Sequence, residues 1–413
     1  MTTTKRRKPG EGGVSRYDTA QGERWLITYR ITDPATGQRR QKLERGFTTE
    51  AKAVKALRQR VTKVEEGSYV EPSKQTLREY LDTWVAGVRV TDATRASYAK
   101  NIRLHVVPTL GGTRLDQLTG LQITVLYRQL ETSGRVDGAG GLSARTVRYV
   151  HTILRRALAD AVRAGQLLAN PADRATPPTA KEAAAPEMRT WTREQLSTFL
   201  DWCRATSSDG RHRGRGELAI AWQLLAMSGM RRGEALALRW SDVDFDGGYV
   251  AVRRSVGVVH VKGDPERLVE GTTKTGKARV IDLDPVTLAA LRAHRAQMAS
   301  IALGLARDDA LVLGTVGGEH RHPERFSRRF LETIAAARRE LGEDALPQIR
   351  LHDLRHTHAT LLLQAGVHPK IVSERLGHAK ISITLDVYSH AMPTMQRDAA
   401  DRLGALVYGG GTA

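Results

Sequence analysis

Two segments of the sequence, residues 228–234 (SGMRRGE) and 351–390, contain the side-chain types that cleavage of a phosphodiester requires. Together they supply two arginines, two histidines and one tyrosine, namely Arg231, Arg355, His352, His378 and Tyr388. The reaction needs positive charge at the non-bridging oxygens, a positioned nucleophile and a proton for the departing oxygen. Arginine suits the first task because its planar guanidinium donates two hydrogen bonds to phosphate oxygens and keeps its charge. The set predicts that a tyrosine hydroxyl attacks a DNA phosphodiester held by fixed cations.

The neighbours of these residues fit that chemistry. Arg231 follows Gly229 and Met230 at the predicted start of a helix, where backbone N–H groups also favour an anion. Glu234 lies three residues after Arg231 and is expected to brace its guanidinium. His352 is suited to act as an acid or base beside the phosphate, because imidazole titrates near neutral pH.

Tyr388 is predicted to lie on a short helix that Ser382 caps. A phenol has a pKa near ~10, so it needs a nearby base or cation before it can attack. Taken alone, Tyr388 is better explained by packing with its hydroxyl at the surface, and a single arginine by a surface ion pair. The combination of all five residues favours the chemistry.

A metal site is the competing interpretation of His352 and His356, whose i, i+4 spacing can bind zinc on one helix face. The segment lacks the glutamate of an H-E-x-x-H motif, and Arg355 beside it would repel a cation. We therefore expect no metal. Cys203 is the single cysteine, so it can form no internal disulfide or cysteine cluster, and we expect it to pack in a core.

The overall charge points to a polyanionic partner. The chain has 413 residues, a formal net charge of +19 and a pI near 10.3, which are typical of proteins that bind nucleic acid. An anionic membrane surface is the alternative, but no apolar run approaches the ~20 residues of a membrane span. The length predicts two to three domains, and the cysteine content fits the cytoplasm.

The N-terminal part is predicted to be a basic arm and a small sheet domain. Residues 1–13 contain the cluster KRRK followed by glycines and read as a disordered arm, for which phosphate contact and a solvated tail are equally good explanations. Residues 14–70 follow with alternating strand patterns at 25–31 and 39–43 and a helix at about 50–66. Such a unit is small for an independent domain but sufficient for a DNA-reading appendage.

Residues 75–172 are predicted to form a domain of four helices. The fourth runs from a Ser143 cap to Ala164. It carries repeated arginines that we expect to contact the DNA backbone, although such charges are more often a solvated face. These arginines are Arg145, Arg148, Arg155 and Arg156.

A proline- and alanine-rich segment, residues 173–189, is predicted to be a linker to a larger α+β domain at 190–395. Three strand-like runs in that domain are expected to form one small antiparallel sheet, namely Tyr249–Arg253, Val256–Lys262 and Ala278–Leu283. Residues 396–413 are amphipathic enough to dock on a neighbouring subunit. The fold class is multidomain and mainly α with small β-sheets (α+β).

Four motifs in order resemble those of the tyrosine recombinase (phage integrase) family. They are S-G-M-R-R-G-E at 228–234, T-K-T-G at 273–276, H-D-L-R-H at 352–356, and L-G-H followed by T-L-D-V-Y-S-H ending at His390. Any one of them could occur by chance, whereas all four at these spacings are highly specific. The resemblance covers most of the chain.

The resemblance implies a role for each residue of the set. Arg231 and Arg355 would be the paired phosphate-binding arginines, and Tyr388 would be the nucleophile. His352 would be the histidine that begins the H-D-L-R-H motif, and His378 would be the histidine that follows Leu-Gly. Lys274 would be the general acid in a β-turn, with Lys277 equally placed on the same exposed turn. Arg232 occupies a position that the pattern leaves open, so a structural role and a DNA contact are both possible for it.

The resemblance also implies a fold and a reaction. The three segments would be an N-terminal domain with a three-stranded sheet of the arm-binding type, a helical core-binding (SAM-like) domain and a catalytic domain. A homotetramer on double-stranded attachment sites would recombine DNA through a 3′-phosphotyrosine and a Holliday junction, without a cofactor or metal. An excisionase and a host DNA-bending protein would be accessory partners, and the protein would associate with the nucleoid of a bacterial host.

Three functions remain open at this point. The N-terminal sheet domain favours the integrase of a phage or integrative mobile element. A DNA relaxer similar to type IB topoisomerases would share the phosphotyrosine chemistry. A non-catalytic DNA-binding regulator on the same fold should have lost at least one of the five residues Arg231, Lys274, His352, Arg355 and Tyr388, and all are present.

Overall fold

A computed structural model describes residues 12–32, 38–66, 69, 74–184, 188–208, 218–260, 263, 265–273, 276, 278–388 and 395–409. The chain divides into two compact units, residues 1–184 and 185–413. The division falls inside the segment that the sequence predicts as a linker. No helix in the described part of the chain is both long and apolar enough to span a membrane.

The first unit begins with a three-stranded antiparallel sheet of order β1-β2-β3, formed by Gly13–Thr19, Gly22–Thr32 and Arg39–Phe47. Helix α1 (Glu50–Glu65), capped by Thr49, packs on one face. Their shared core consists of Ile27, Tyr29, Ile31, Ala53 and Leu57. The predicted three-stranded sheet is confirmed. Gly13, which was assigned to the disordered arm, is instead the first residue of β1.

Five further helices form the rest of this unit: α2 (Leu77–Gly87), α3 (Asp92–Asn101), α4 (Val107–Leu110), α5 (Gly120–Ser133) and α6 (Ala144–Arg163). Helix α6 begins where the sequence predicts, since the Ser143 side chain accepts a hydrogen bond from the backbone N–H of Thr146. Helix α3 continues into a π-turn, Ile102–Val106, just before the proline of α4.

The second unit contains nine described helices, which are α7 (Arg193–Ser208), α8 (Ala219–Ser228), α9 (Arg232–Leu236), α10 (Pro285–Ile301), α11 (Pro323–Leu341), α12 (Asp353–Gln364), α13 (Pro369–Leu376), α14 (Ile381–Tyr388) and α15 (Met395–Tyr408). Three fully buried tryptophans, Trp191, Trp222 and Trp240, lie in its main core. Cys203 is buried in the same core, as the sequence predicts.

The strands of the second unit form two sheets rather than the one that was predicted. Strands β4 (Val243–Asp244), β5 (Tyr249–Val252) and β8 (Arg279–Asp282) pair in the order β4-β5-β8. Strand β6 (Arg254–Val259) pairs with β7 (Arg267–Thr272), which the sequence analysis missed. Strand β7 is largely exposed, so its sequence lacks the apolar alternation by which a strand is recognised.

The strands on either side of the T-K-T-G motif, where the resemblance places a β-turn, pair with other strands. Strands β7 and β8 flank that motif, but β7 pairs with β6 and β8 pairs with β5. The segment 273–278 therefore joins two different sheets. It follows β7, which is held by β6, and it precedes β8, which is held by β5.

Candidate active site

The site is built on two glycine corners, each of which ends a helix. Gly229 ends α8 and Gly377 ends α13, both in the left-handed conformation, with φ of +65° and +66°. A glycine adopts this conformation without steric cost and leaves its carbonyl free to turn away from the helix axis. Arg231 lies two residues after the first corner, and His378 directly follows the second.

Arg231 is the N-cap residue of α9 and is held by Glu234, as the spacing of the two residues predicts. Its backbone N–H donates to Oε2 of Glu234 at 2.8 Å, and its Nη1 donates to Oε1 at 2.9 Å. Its Nη2 donates to the carbonyl oxygen of Gly377 at 3.3 Å. About a quarter of the Arg231 side chain remains exposed, whereas Glu234 is 1% exposed. Glu234 therefore braces the guanidinium from inside while one part of Arg231 faces outward.

Arg355 lies on α12 and is only 3% exposed. Its Nη1 donates to the carbonyl oxygen of Gly229 at 2.6 Å, and its Nη2 donates to that of Leu376 at 2.6 Å. Leu376 and Gly377 are consecutive, so their carbonyls receive one hydrogen bond from each of the two arginines. The two guanidinium groups are thus brought together from motifs more than a hundred residues apart.

The two candidate histidines lie beside these arginines and are held neutral. His352 precedes α12, and burial followed by the charge of Arg355 lowers its pKa. Burial, followed by Arg355 and then Arg231, lowers the pKa of His378 to about 4. A protonated imidazole would be both desolvated and repelled by the two guanidinium groups.

The ring of His378 is fixed by α14. Its Nδ1 lies 2.8 Å from Oγ1 of Thr384, a buried residue that the sequence analysis did not single out. Ser382 was expected to cap this helix, but α14 begins at Ile381, so Ser382 lies inside the first turn. Thr384 thereby connects the helix that ends at Tyr388 to the corner that carries His378.

Arg279 is a second residue of this site that sequence reasoning missed. It is the first residue of β8, and its Nη1 and Nη2 donate to the two carboxylate oxygens of Glu234 at 3.1 and 2.7 Å. Burial alone would raise the pKa of Glu234, but the hydrogen bond and charge of Arg279, together with Arg231, bring it below its usual value. The only signal in the sequence was an arginine directly before Val280 and Ile281 in a strand-like run.

Three predicted residues, Lys274, Lys277 and Tyr388, are not placed by this geometry. Lys274 and Lys277 lie outside the described residues. Tyr388 is the last residue of α14, and its side chain lies outside the described part of the chain. Within the described part, no group of three or more His, Cys, Asp or Glu side chains could hold a metal ion.

The arginines predicted to contact DNA differ in their surroundings. Arg145 is exposed in the first turn of α6. The others have protein partners: Arg148 donates to the carbonyl oxygen of Pro178 at 2.5 Å, Arg155 to Asp173 at 2.6 Å, and Arg156 to the hydroxyl of Tyr98 at 3.1 Å. Arg232 donates to Oγ of Ser327 on α11 at 2.7 Å, which gives it a structural contact.

The chain matches the models of three known domain families. The model of the phage integrase family matches residues 189–395, an arm DNA-binding domain matches 14–64, and the N-terminal SAM-like domain of phage integrases matches 76–130. The chain belongs to the phage integrase family. The resemblance inferred from the four motifs is confirmed.

Curated relatives are similar over most of their length. A protein named tyrosine recombinase XerC-like, from Caldanaerobacter subterraneus subsp. tengcongensis, is 26% identical over 362 residues, which cover 83% of this chain and 86% of the relative. The integrase of Mycobacterium phage FRAT1 is 26% identical over 336 residues, which cover 80% and 88%. The ICEBs1 integrase of Bacillus subtilis is 24% identical over 312 residues, or 74% and 76%.

Solved structures share the fold. The Tn1549 transposon integrase in complex with transposon right end DNA aligns with a TM-score of 0.63 and 20% identity, covering 79% of this chain and 98% of that one. A lambda integrase tetramer bound to a Holliday junction aligns with a TM-score of 0.52 and 19% identity, covering 88% and 95%. The predicted multidomain fold, with an arm-type sheet domain, a helical domain and an α+β domain, is confirmed.

Proposed function

We propose that this chain is a site-specific DNA recombinase, the integrase of a phage or of an integrative mobile element. The observation that carries the proposal is the pairing of Arg231 and Arg355 on the consecutive carbonyls of Leu376 and Gly377. Two fixed guanidinium groups side by side suit the two non-bridging oxygens of one phosphodiester. Relatives named as the integrases of phages and of ICEBs1 support the proposal that the chain serves a phage or an integrative mobile element.

In the proposed reaction, Oη of Tyr388 attacks the scissile phosphorus and forms a 3′-phosphotyrosine. The bond between phosphorus and the 5′ oxygen breaks, and that oxygen takes up a proton and leaves as a 5′-hydroxyl. A 5′-hydroxyl of the same or the partner strand then attacks the phosphotyrosine and reverses the step. Since the phosphotyrosine preserves the bond energy, the cycle consumes no nucleotide.

Arg231 and Arg355 would offset the charge that develops on the phosphate oxygens in the transition state. His352 and His378 are kept neutral by burial and by these arginines, so each imidazole retains a nitrogen that can accept a proton or hydrogen bond. Lys274 would protonate the 5′ oxygen, with Lys277 as the alternative acid. Both lie in the segment 273–278, whose two ends enter β-strands.

The proposed substrate is a double-stranded attachment site that a homotetramer engages through a Holliday junction. The solved lambda integrase tetramer bound to a Holliday junction supports this assembly for a chain of the same fold. The arginines of α6 would contact the DNA backbone, and α15 would dock on a neighbouring subunit. An excisionase and a host DNA-bending protein are the accessory partners we propose, with the protein acting at the nucleoid of a bacterial host.

A suicide-substrate assay tests this function. A nicked duplex that carries a candidate attachment site is incubated with wild type or Tyr388→Phe in EDTA. We expect an SDS-stable protein–DNA adduct in wild type alone, with equal DNA binding by both proteins. Binding by both without an adduct, repeated on a second candidate site, would favour the regulator. Rapid relaxation of a plasmid that lacks an attachment site would favour a topoisomerase.

A further inference from the structure

Glu234 is a buried anion shared between two arginines. It accepts two hydrogen bonds from Arg231, one from the backbone and one from Nη1, and two from the guanidinium of Arg279. The Arg279 side chain is 10% exposed, so it faces the carboxylate rather than solvent. Arg279 therefore has a position from which it can affect Arg231 without facing the DNA itself.

The charges of this cluster explain what Arg279 contributes. Arg231 and Glu234 alone form a neutral pair, in which the carboxylate offsets the charge that the phosphate needs. Arg279 adds a second cation to the same carboxylate, so the three groups together carry a net positive charge. Charges in a partly buried cluster act on each other more strongly than in water.

Arg279 also supports the corner to which Arg231 is bonded. Its Nε donates to the carbonyl oxygen of Arg375 at 2.9 Å, near the end of α13. A Cβ atom built on Gly377 would lie 3.0 Å from Cδ and from Nη1 of Arg279, so the arginine packs directly against that glycine. The carbonyl of Gly377 accepts the hydrogen bond from Nη2 of Arg231.

We propose that Arg279 is a positioning residue that keeps the positive charge of Arg231 available to the scissile phosphate, by neutralising Glu234 and supporting the Gly377 corner. The inference rests on the recombinase function proposed above. Arg279 touches the charge-balancing carboxylate and the corner, and its effect on the reaction passes through Arg231.

The test measures single-turnover cleavage of the suicide substrate by Arg279→Gln, Glu234→Gln and the double variant. We expect Arg279→Gln to slow cleavage by about 10- to 100-fold, the scale for weakening one charge-stabilising donor, while DNA affinity stays close to wild type. Glu234→Gln in the Arg279→Gln protein should recover most of that loss. The neutral glutamine no longer offsets the positive charge of Arg231. A double variant as slow as Arg279→Gln, or slower, would overturn the proposal.

Two modified substrates separate an effect through the phosphate charge from an effect through the leaving group. A methylphosphonate at the scissile position removes the negative charge, so the defect of Arg279→Gln should shrink on it. A bridging 5′-phosphorothiolate has a leaving group that needs no acid, and the defect should persist there. Recovery on the phosphorothiolate alone would mean that Arg279 acts through the lysine segment, and would overturn the proposal.

A matched control is Arg254→Gln, which removes an arginine from another buried carboxylate of the same unit, Asp242. Its ratio of rates on the phosphodiester and the methylphosphonate should equal that of wild type. A shifted ratio would mean that loss of any buried ion pair produces the signal. If wild type forms no adduct, the proposed function fails. If wild type reacts and Arg279→Gln matches it, only this inference fails.

Discussion

Nη1 of Arg355 donates a hydrogen bond of 2.6 Å to the carbonyl oxygen of Gly229, across 126 residues of chain. Gly229 is followed two residues later by Arg231, so a backbone carbonyl of the first arginine motif is bound by the side chain of the second. The two guanidinium groups are therefore aligned through the main chain. A main-chain acceptor is less mobile than a side chain, which favours a fixed geometry for the phosphate.

Gly229→Ala should disturb this alignment. The left-handed conformation costs a non-glycine residue about 1–3 kcal/mol. The new Cβ would also lie 2.7 Å from Cδ2 of His358 and 3.0 Å from Cδ2 of Leu376. We expect lower stability in urea unfolding and a much slower adduct formation at a temperature where the variant remains folded, because the acceptor of Arg355 must move.

Gly248→Ala is the control for backbone strain. Gly248 has a φ of +74°, and a Cβ there would approach only Cδ1 of Leu288, at 3.6 Å. This variant should lose stability but form the adduct at close to the wild-type rate. Equal slowing in both glycine variants would show that lost stability, rather than displacement of the Gly229 carbonyl, causes the defect.

Features of the site that depend on near neighbours in the chain could be predicted from the sequence. The contact between Arg231 and Glu234 follows from their three-residue spacing, and the ends of α6 and α8 follow from a serine cap and a glycine. The motif pattern identified the family because the order and spacing of four motifs carry information that no single residue does.

Features that depend on distant parts of the chain could not be predicted in this way. Nothing near Arg279 indicates that it meets Glu234, because 45 residues separate them and the contact depends on the pairing of β8 with β5. Strand β7 was missed for a related reason, since its residues are exposed and only pairing with β6 defines it as a strand. Thr384 matters because it contacts His378, which lies outside its own helix, so the sequence of α14 alone does not indicate its role.

Stability should fall on mild acidification because of His358. This residue is 7% exposed, and its Nδ1 lies 2.9 Å from the carbonyl oxygen of Ala226, to which it donates. Its Nε2 has no hydrogen-bond partner among the described residues. Burial, followed by the charge of Arg375, lowers its pKa to about 4. Protonation would therefore bury an unpaired charge.

The direction and size of this pH effect follow from the difference in the pKa of His358 between the folded and the unfolded chain. The unfolded chain protonates His358 near pH ~6.5, so stability is complete above that value and is lost as pH falls toward the folded pKa of about 4. This residue should remove on the order of 2 kcal/mol of unfolding free energy between pH ~7 and ~5. Urea unfolding at both pH values measures it. His358→Gln should reduce the fall, whereas His368→Gln, at an exposed position, should not. An identical fall in both variants would contradict the assignment.

The arginines of α6 should contribute unequally to DNA affinity. Arg145 is exposed, whereas Arg155 is ion-paired with Asp173, and that pair is broken or shared when Arg155 binds a phosphate. Arg145→Ala should weaken binding and lower the slope of log affinity against log salt by about 1, as expected for one lost phosphate contact. Arg155→Ala should change the slope less. A salt titration of binding to a labelled attachment site measures both slopes, and an unchanged slope in Arg145→Ala would remove it from the interface.

The C-terminal helix should matter for assembly more than for DNA binding. Helix α15 exposes large apolar side chains, with Leu406 at 83% and Tyr408 at 86%, and such residues are seldom left in water without a partner. Truncation after His390 should therefore weaken pairing of two DNA sites while sparing binding to a single site. Gel-shift titration with one and two labelled sites measures both.

Leu406→Asp should reproduce the truncation in part, and Leu303→Asp, at another exposed leucine of the same unit, should not. Unchanged pairing in the truncated protein would exclude α15 as the docking element, because the truncation removes the whole helix.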